Sequence, residues 1–251
     1  MLHHLPFFIL ALALLAGCSS PPVKKDVDGM DFSSGQMLQN DANRAANLAM
    51  HDNLDSLSLL LEKLYKRNPR EWKKTDAASR EAAHRQVMDA IRNQQPLPGL
   101  GGRKSVAVLP LAFDADFQGD RAGTLIYGLG SMLYELYGGT DTQHMLSGLN
   151  SQMTANAAWN IEVAAWLLAS RTDERGQPLL LSNELSANGR NLSFEREFGR
   201  MIGRLELLAQ MTHESLRRSG INYVQGLLAA PLLGLFQFIP LNAASAATTA
   251  Q

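Results

Sequence analysis

The sequence predicts a mainly α protein, a helical bundle with a helical-hairpin region towards its amino end. Long segments carry apolar residues at spacings of three and four, which is the period of an amphipathic helix. Hydrophobic residues make up 45% of the 251 residues, and this is enough to build a sizeable core. Residues 105–112 are the segment that most resembles a complete strand, so we expect one minor β element there.

The first helical region covers residues 36–68. An Ala-rich helix is predicted over 37–50, and His51-Asp52-Asn53 supplies a turn or cap after it. A second helix follows, in which leucines recur at helical spacing: Leu54, Leu57, Leu61 and Leu64. It ends after Asn68, because Pro69 cannot continue it.

A third helix is predicted over 77–93. Two helices that end in Asn-Pro resemble one tetratricopeptide unit. The alternative is a plain α-hairpin followed by a helix, and it is favoured because repeat arrays generally need three or more units. The break at 96–102 contains two prolines and three glycines, so it is a boundary between a subdomain at 36–95 and a main domain at 103–241. The loop precedes a predicted strand rather than a helix, which disfavours phosphate binding.

The next helix is predicted over 121–137, with Asp120 as its cap. It is apolar on nearly every side, as expected for the central helix of the core. Four glycines lower its helix propensity and therefore indicate close approach of another backbone: Gly119, Gly123, Gly128 and Gly130.

A short helix is predicted over 141–149 and a strong one over 151–171. Trp159 and Trp166 lie seven residues apart on a stripe next to the main apolar stripe. A tryptophan stripe can bind a ligand, but at helical spacing it more often lies in the core, which is the interpretation we favour. A second short strand is possible at Leu179-Leu180-Leu181.

The most regular helix is predicted over 193–219. Gly199 and Gly203 form a notch for a crossing helix, and Arg217, Arg218 and Gly220 form its C-terminal signal. Residues 221–241 contain no charge. Burial against the domain, shallow membrane insertion and a membrane span are the alternatives for this segment. Residues 242–251 are expected to be a disordered tail.

The amino end has the pattern of an export signal. An apolar run at 5–14 is followed by Leu15-Ala16-Gly17-Cys18, and about 12 apolar residues are too few to cross a bilayer. This motif resembles the lipobox of bacterial lipoproteins. The resemblance implies that residues 1–17 are a signal peptide, that Cys18 carries diacylglycerol and an amino-terminal acyl chain such as palmitate, and that the anchor is stable.

The resemblance also implies a place in the cell envelope. Ser19 rather than Asp follows the lipidated cysteine, which is similar to lipoproteins sorted to the outer membrane and facing the periplasm. Residues 18–35 are then a flexible tether of roughly 20–25 Å. The net charge of −1 argues against a nucleic-acid partner. Cys18 is the only cysteine, so no thiol remains for a disulfide or for catalysis.

Several polar groups have the spacing of functional sites. Glu81 and His84 match one half of a helical di-iron motif, but a salt-bridged surface pair is favoured because there is no second such motif. His213-Glu214 lacks the second histidine of a zinc protease, and His144 lacks a nucleophile elbow. The candidate acids for glycan cleavage are Glu184, Glu195 and Glu197.

These observations predict no catalytic residue, no metal site and no cofactor. The function expected is that of a non-catalytic, lipid-anchored periplasmic protein that binds a protein partner of the cell envelope through residues 36–95. The alternative is a lipid-binding or lipid-modifying envelope protein that uses the apolar segments 121–137 and 221–241. A peptidoglycan hydrolase is a more distant third hypothesis.

Overall fold

The computed structural model describes residues 41–140, 149–186 and 189–236, with side chains described over 43–140, 149–184 and 191–214. The helices are α1 (Asp41–Arg67), α2 (Pro69–Trp72), α3 (Arg80–Arg92), a 3-10 helix (Ser105–Ala107), α4 (Leu109–Ala112), α5 (Arg121–Leu136), α6 (Ser151–Ser170) and α7 (Ser193–Phe236). Strand β1 (Glu184–Ser186) pairs antiparallel with β2 (Gly189–Asn191). The predicted mainly α bundle is confirmed.

Helix α5 forms the centre of the bundle, as predicted. It packs against α1, α3, α4 and the 3-10 helix, while α7 packs against both α1 and α6. Nearly every residue of α5 is buried, and the Asp120 side chain accepts a hydrogen bond from the Gly123 N–H as the N-cap.

The α5 glycines permit close approach, but the groups that approach are side chains rather than backbone. A Cβ at Gly130 would lie 2.7 Å from Ile91 Cδ1, and one at Gly128 would lie 2.6 Å from Leu109 Cδ2. Any larger residue at these positions would therefore displace the helices packed on α5.

The predicted turn at His51-Asp52-Asn53 is wrong, because α1 runs through it as one helix of 27 residues. His51 and Asp52 are exposed, whereas Asn53 is fully buried and accepts a hydrogen bond from Arg204 at 3.2 Å. Packing against α7 thus overrides the weak helix propensity of this tripeptide. Helix α3 begins one turn later than the predicted helix, at the N-cap Ser79.

The predicted strand at 105–112 is also wrong. This segment forms the 3-10 helix and α4, and Pro110 occupies the first turn of α4. Val108 and Ala112 are buried four residues apart, so the apolar period is helical and not alternating. The strands instead form a hairpin of three residues each, a little after Leu179-Leu180-Leu181.

Helix α7 does not end near Gly220 as predicted, but continues to Phe236 through both Gly220 and Pro231. The expected notch at Gly199 and Gly203 receives no crossing helix. Both glycines are exposed, and among the described residues no atom lies within 4 Å of a Cβ built at either. Within the described part of the chain, no helix has both the length and the apolarity needed to cross a membrane.

All of the described residues belong to a single compact unit. The buried leucines of α1 and the buried apolar residues of α3 belong to the same core cluster as those of α5, α6 and α7. The Pro-Gly break at 96–102 therefore does not separate two hydrophobic cores. Cys18, the tether, the predicted short helix at 141–149 except Leu149, and residues 237–251 lie outside the described residues.

Candidate functional site

Two tryptophans of α6 are exposed, which contradicts the expectation that they lie in the core. Trp159 is 63% exposed and Trp166 is 65% exposed. Helix α6 buries its opposite face, which consists of Thr154, Ala157, Ala158, Ile161, Ala164, Ala165 and Leu168. Because this buried face is made mostly of small residues, α6 can approach its neighbours closely and the large side chains are left outside.

The exposed aromatic residues form a continuous row. Val163 is also exposed and lies between Trp159 and Trp166 in the sequence, at spacings of four and three. Residues at these spacings lie on one face of a helix, and the row extends for about 10 Å at 1.5 Å per residue. We call these three residues the Trp face.

A groove of about 160 Å³ lies between α6 and α5. Met132 and Met153 contribute two flexible thioether side chains to it, and Val106 of the 3-10 helix adds an exposed apolar group. Asn160 of α6 donates a hydrogen bond to the sulfur of Met132 at 3.6 Å, which ties the two helices together.

The charges on these two helices are few and negative. Glu162 is the only charged residue of α6, and it is exposed and directly precedes Val163. Glu135 is exposed and lines the groove on the α5 side, whereas the other charged residue of α5, Arg121, is buried. The exposed surface of α6 thus combines the Trp face with a few uncharged polar residues and one acidic group.

A second polar centre lies at the N-terminus of α5. Tyr65 of α1 donates a hydrogen bond to Asp120 Oδ2 at 2.5 Å, and the Arg121 N–H donates to Glu71 Oε2 at 2.7 Å. Lys74 Nζ lies 2.8 Å from Glu71 Oε1. All of these groups except Lys74 are buried, so the cluster joins α1, α2 and α5 inside the protein.

The burial of this cluster changes its ionisation. Desolvation raises the pKa of Asp120 above its usual range, although the hydrogen bonds from the Gly123 N–H and the Tyr65 hydroxyl act in the opposite direction. Desolvation and the neighbouring Asp120 also raise the pKa of Tyr65. Tyr65 therefore remains a protonated hydrogen-bond donor at all physiological pH values.

Arg121 uses its guanidinium group to hold the chain that precedes α5. It donates to the carbonyl oxygens of Ala112, Asp114 and Ala115. A cavity of about 240 Å³ lies beside the cluster, and its polar lining comes from Lys74, Thr75, Asp76, Gln86, Asp120 and Thr124. Asp120, which lines this cavity, and Glu71 of the cluster both already accept hydrogen bonds from the protein, so the cluster acts as a structural clamp.

A third polar centre joins α1 to α7. Arg204 donates to Asn53 Oδ1 and to Ser56 Oγ at 3.1 Å, and it pairs with Asp52 at 3.3 Å. Ser56 in turn donates to the buried Glu197 at 3.3 Å. A groove of about 260 Å³ begins next to this centre, and three of its lining residues are exposed and apolar: Leu48, Leu207 and Met211.

The residues singled out by spacing in the sequence have separate partners. Glu81 pairs with Arg80 at 2.6 Å, so the expected Glu81–His84 pair is not formed. The His84 Nε2 atom lies 3.0 Å from the Ser58 carbonyl oxygen and 3.2 Å from the Ser58 hydroxyl oxygen. In the described residues, no group of three or more His, Cys, Asp or Glu side chains is placed to hold a metal ion.

The three glutamates considered for glycan cleavage are likewise used by different contacts. Glu184 pairs with Arg67 at 3.2 Å, Glu195 is near Asn183, and Glu197 pairs with Arg200 at 2.8 Å. His213 is exposed, and His144 lies outside the described residues.

An exposed tryptophan stripe was the alternative that we did not favour from the sequence. The sequence does contain a signal for this exposure, because the stripe of small residues on α6 forms a complete buried face without the tryptophans. Comparison of the chain with family models, with curated proteins and with solved structures finds no match.

Proposed function

We propose that this protein is a non-catalytic, lipid-anchored component of the cell envelope that binds a partner protein through the Trp face. The observation that carries the proposal is the exposure of Trp159 and Trp166 on a helix with a single charge. Tryptophan is among the residues that contribute most to protein interfaces, and the centres of interfaces are depleted of charge.

The proposed binding surface lies on α6 and not in residues 36–95, where the sequence alone suggested it. Most of the apolar residues of α1 and α3 lie in the core, so deletion of this region would unfold the protein rather than remove a binding surface. The Trp face is different, because its side chains contribute little to the core and are free to meet a partner.

Site-specific photocrosslinking in the producing cells tests the binding function. A benzophenone amino acid replaces Trp166 in one full-length variant and Leu59 of α1 in another; both positions are exposed. We expect a light-dependent covalent product with one dominant envelope protein from position 166 and none from position 59. Equal products from both positions, or none from either, would rule out the Trp face as a specific interface.

The lipid anchor is proposed from the sequence motif at Cys18 and has its own test. Cells that express the full chain incorporate labelled palmitate into the protein, and a Cys18→Ser variant does not. We expect the variant to leave the outer-membrane fraction as well. A variant that keeps both the label and its membrane location would contradict the proposal.

The groove between α1 and α7 favours lipid binding as a second candidate function. Its apolar walls, formed by residues such as Leu48, Leu207 and Met211, suit an acyl chain, and the Asp52–Arg204 pair lies at its edge. In contrast, α5 is buried and offers no surface to a lipid. Native mass spectrometry of the full chain, released from detergent, would show retained lipid; a Leu207→Arg variant would lose it.

A further inference from the structure

We propose that the partner segment that binds the Trp face is a basic amphipathic helix of another protein. This inference rests on the proposed function and specifies the chemistry of the partner. Its physical basis is the combination of an aromatic row, an adaptable groove and an unpaired negative charge on one surface.

The shape of this surface suits a helix. The Trp face is a row of about 10 Å along α6, which matches the apolar stripe of two turns of a partner helix. On one side of the row lies the groove with Met132 and Met153, which can repack around a bound side chain.

The charge of the surface indicates a basic partner. Glu162 and Glu135 are both exposed, but Glu135 shares a pocket with the exposed Lys104. The charge that bears on a partner is therefore that of Glu162, and α6 carries no Lys or Arg to compensate it. A docked helix would partly desolvate Glu162 next to Val163. A Lys or Arg on the partner would offset this cost, whereas an acidic or neutral partner would not.

A second copy of this chain fits the surface poorly. The Trp face has approximate two-fold symmetry about Val163, so two copies could meet through antiparallel α6 helices. That arrangement would place Glu162 of one copy beside Glu162 of the other, because flanking positions pair with their own equivalents in an antiparallel helix pair. Like charges in such a position are destabilising.

A bilayer surface also fits poorly. Helices that lie on membranes generally carry Lys and Arg on their polar face, which are attracted to anionic headgroups. Helix α6 has no basic residue among its 20 residues, and its one charge has the same sign as anionic lipids. A partner protein with basic groups is therefore favoured over both alternatives.

Peptide binding to the full chain tests the inference. The protein is reconstituted in phosphatidylcholine nanodiscs, and empty nanodiscs supply the background. The probes are two labelled 18-residue amphipathic peptides with the same leucine face and either lysines or glutamates on the polar face. We expect the Leu/Lys peptide to bind about tenfold more tightly than the Leu/Glu peptide, as measured by fluorescence anisotropy.

Three variants assign the binding to the surface. Trp166→Ala should weaken binding of both peptides by about tenfold, because it removes a central contact. Glu162→Gln should lower the preference for the Leu/Lys peptide about threefold to tenfold while leaving the Leu/Glu peptide unchanged or better bound. The control Leu59→Ala alters an exposed leucine of α1 and should change neither affinity.

Several results would overturn the inference. Equal binding of the two peptides, or a preference that survives Glu162→Gln, would remove the electrostatic basis. Quenching of the α6 tryptophans by brominated phosphatidylcholine in the absence of peptide would show that the Trp face binds the bilayer. If two copies of the protein associate and no longer bind the Leu/Lys peptide, the Trp face is a self-association surface. If photocrosslinking from position 166 succeeds while the peptide preference fails, the binding function stands and only the basic helix is wrong.

Discussion

At the scale of single residues, Asp120 connects two helices through its side chain. It caps α5 through the Gly123 N–H and also accepts the hydrogen bond of the buried Tyr65 hydroxyl. We expect Asp120→Ala to lower the free energy of unfolding by about 2–4 kcal/mol, because the cap is lost and Tyr65 is left buried without an acceptor. Urea unfolding followed by circular dichroism measures this.

The control for Asp120 is a nearby exposed aspartate. Asp116 lies in the preceding loop and is exposed, so Asp116→Ala should change the free energy of unfolding by no more than about 0.5 kcal/mol. If both variants lost the same free energy of unfolding, the hydrogen bonds of Asp120 would contribute no more than the negative charge that both aspartates carry.

The raised pKa of Asp120 predicts how stability depends on pH. A carboxyl group whose pKa is higher in the folded state than in the unfolded state binds more protons when folded, so stability falls as pH rises between the two values. The unfolded value is about 3.9. We therefore expect the free energy of unfolding of the natural protein, relative to an Asp120→Asn variant, to decrease from pH 4 upwards until Asp120 is ionised in the folded state.

Unfolding curves of both proteins across pH 4–8 measure this difference. Asp120→Asn keeps an oxygen for the cap but cannot ionise, which makes it the matched reference. An unchanged difference over this range would mean that the folded pKa of Asp120 is not raised.

At the scale of elements, the glycines of α5 and α7 lie in opposite environments. Gly130→Ala on α5 would place a Cβ 2.7 Å from Ile91, and we expect a net loss of about 1–3 kcal/mol of stability. Gly203→Ala on α7 meets no described atom within 4 Å and should gain about 0.4–1 kcal/mol, because alanine favours the helix. Thermal unfolding of the pair distinguishes them; shifts of the same sign would contradict the packing of α3 on α5.

The continuity of α1 is tested by proline. Asp52 is exposed within the helix, and Asp52→Pro should cost about 3 kcal/mol or more, because it removes a backbone hydrogen bond and clashes with the preceding turn. Arg80 is the first residue of α3 and follows an extended Ser79, so Arg80→Pro should be nearly neutral. A turn at residues 51–53 would instead tolerate the proline at 52, and equal stability of the two variants would contradict the single helix.

The apolar periodicity of the sequence correctly predicted the helices whose apolar face is also their buried face. The helices at 80–92, 121–136 and 151–170 lie close to their predicted ranges, because their caps and periods agree with their packing. Asn53 misled the prediction, since its favourable contact with Arg204 comes from a helix 151 residues away. Trp159 and Trp166 were predicted wrongly for the opposite reason: their side chains are apolar, but they are largely exposed and do not belong to the core.

At the scale of the whole molecule, the shared core predicts a single unfolding transition. The buried leucines of α1 and the buried residues of α5 and α7 belong to one cluster. We expect urea unfolding followed by tryptophan fluorescence and by circular dichroism to give coincident curves. A Leu61→Ala variant should move both curves together and cost about 2–5 kcal/mol. Two separate transitions would mean that residues 36–95 fold independently.

The antiparallel seam between α1 and α7 has a consequence for how the chain folds while it is being synthesised. Ser56, Lys63 and Asn53 find their partners 130 to 151 residues later in the sequence, on the last helix of the bundle. During synthesis, the α1 face that packs on α7 is therefore without its final cover until α7 has been made. A partly synthesised chain that lacks α7 cannot complete the core of the bundle, and its uncovered leucines are open to non-native contacts.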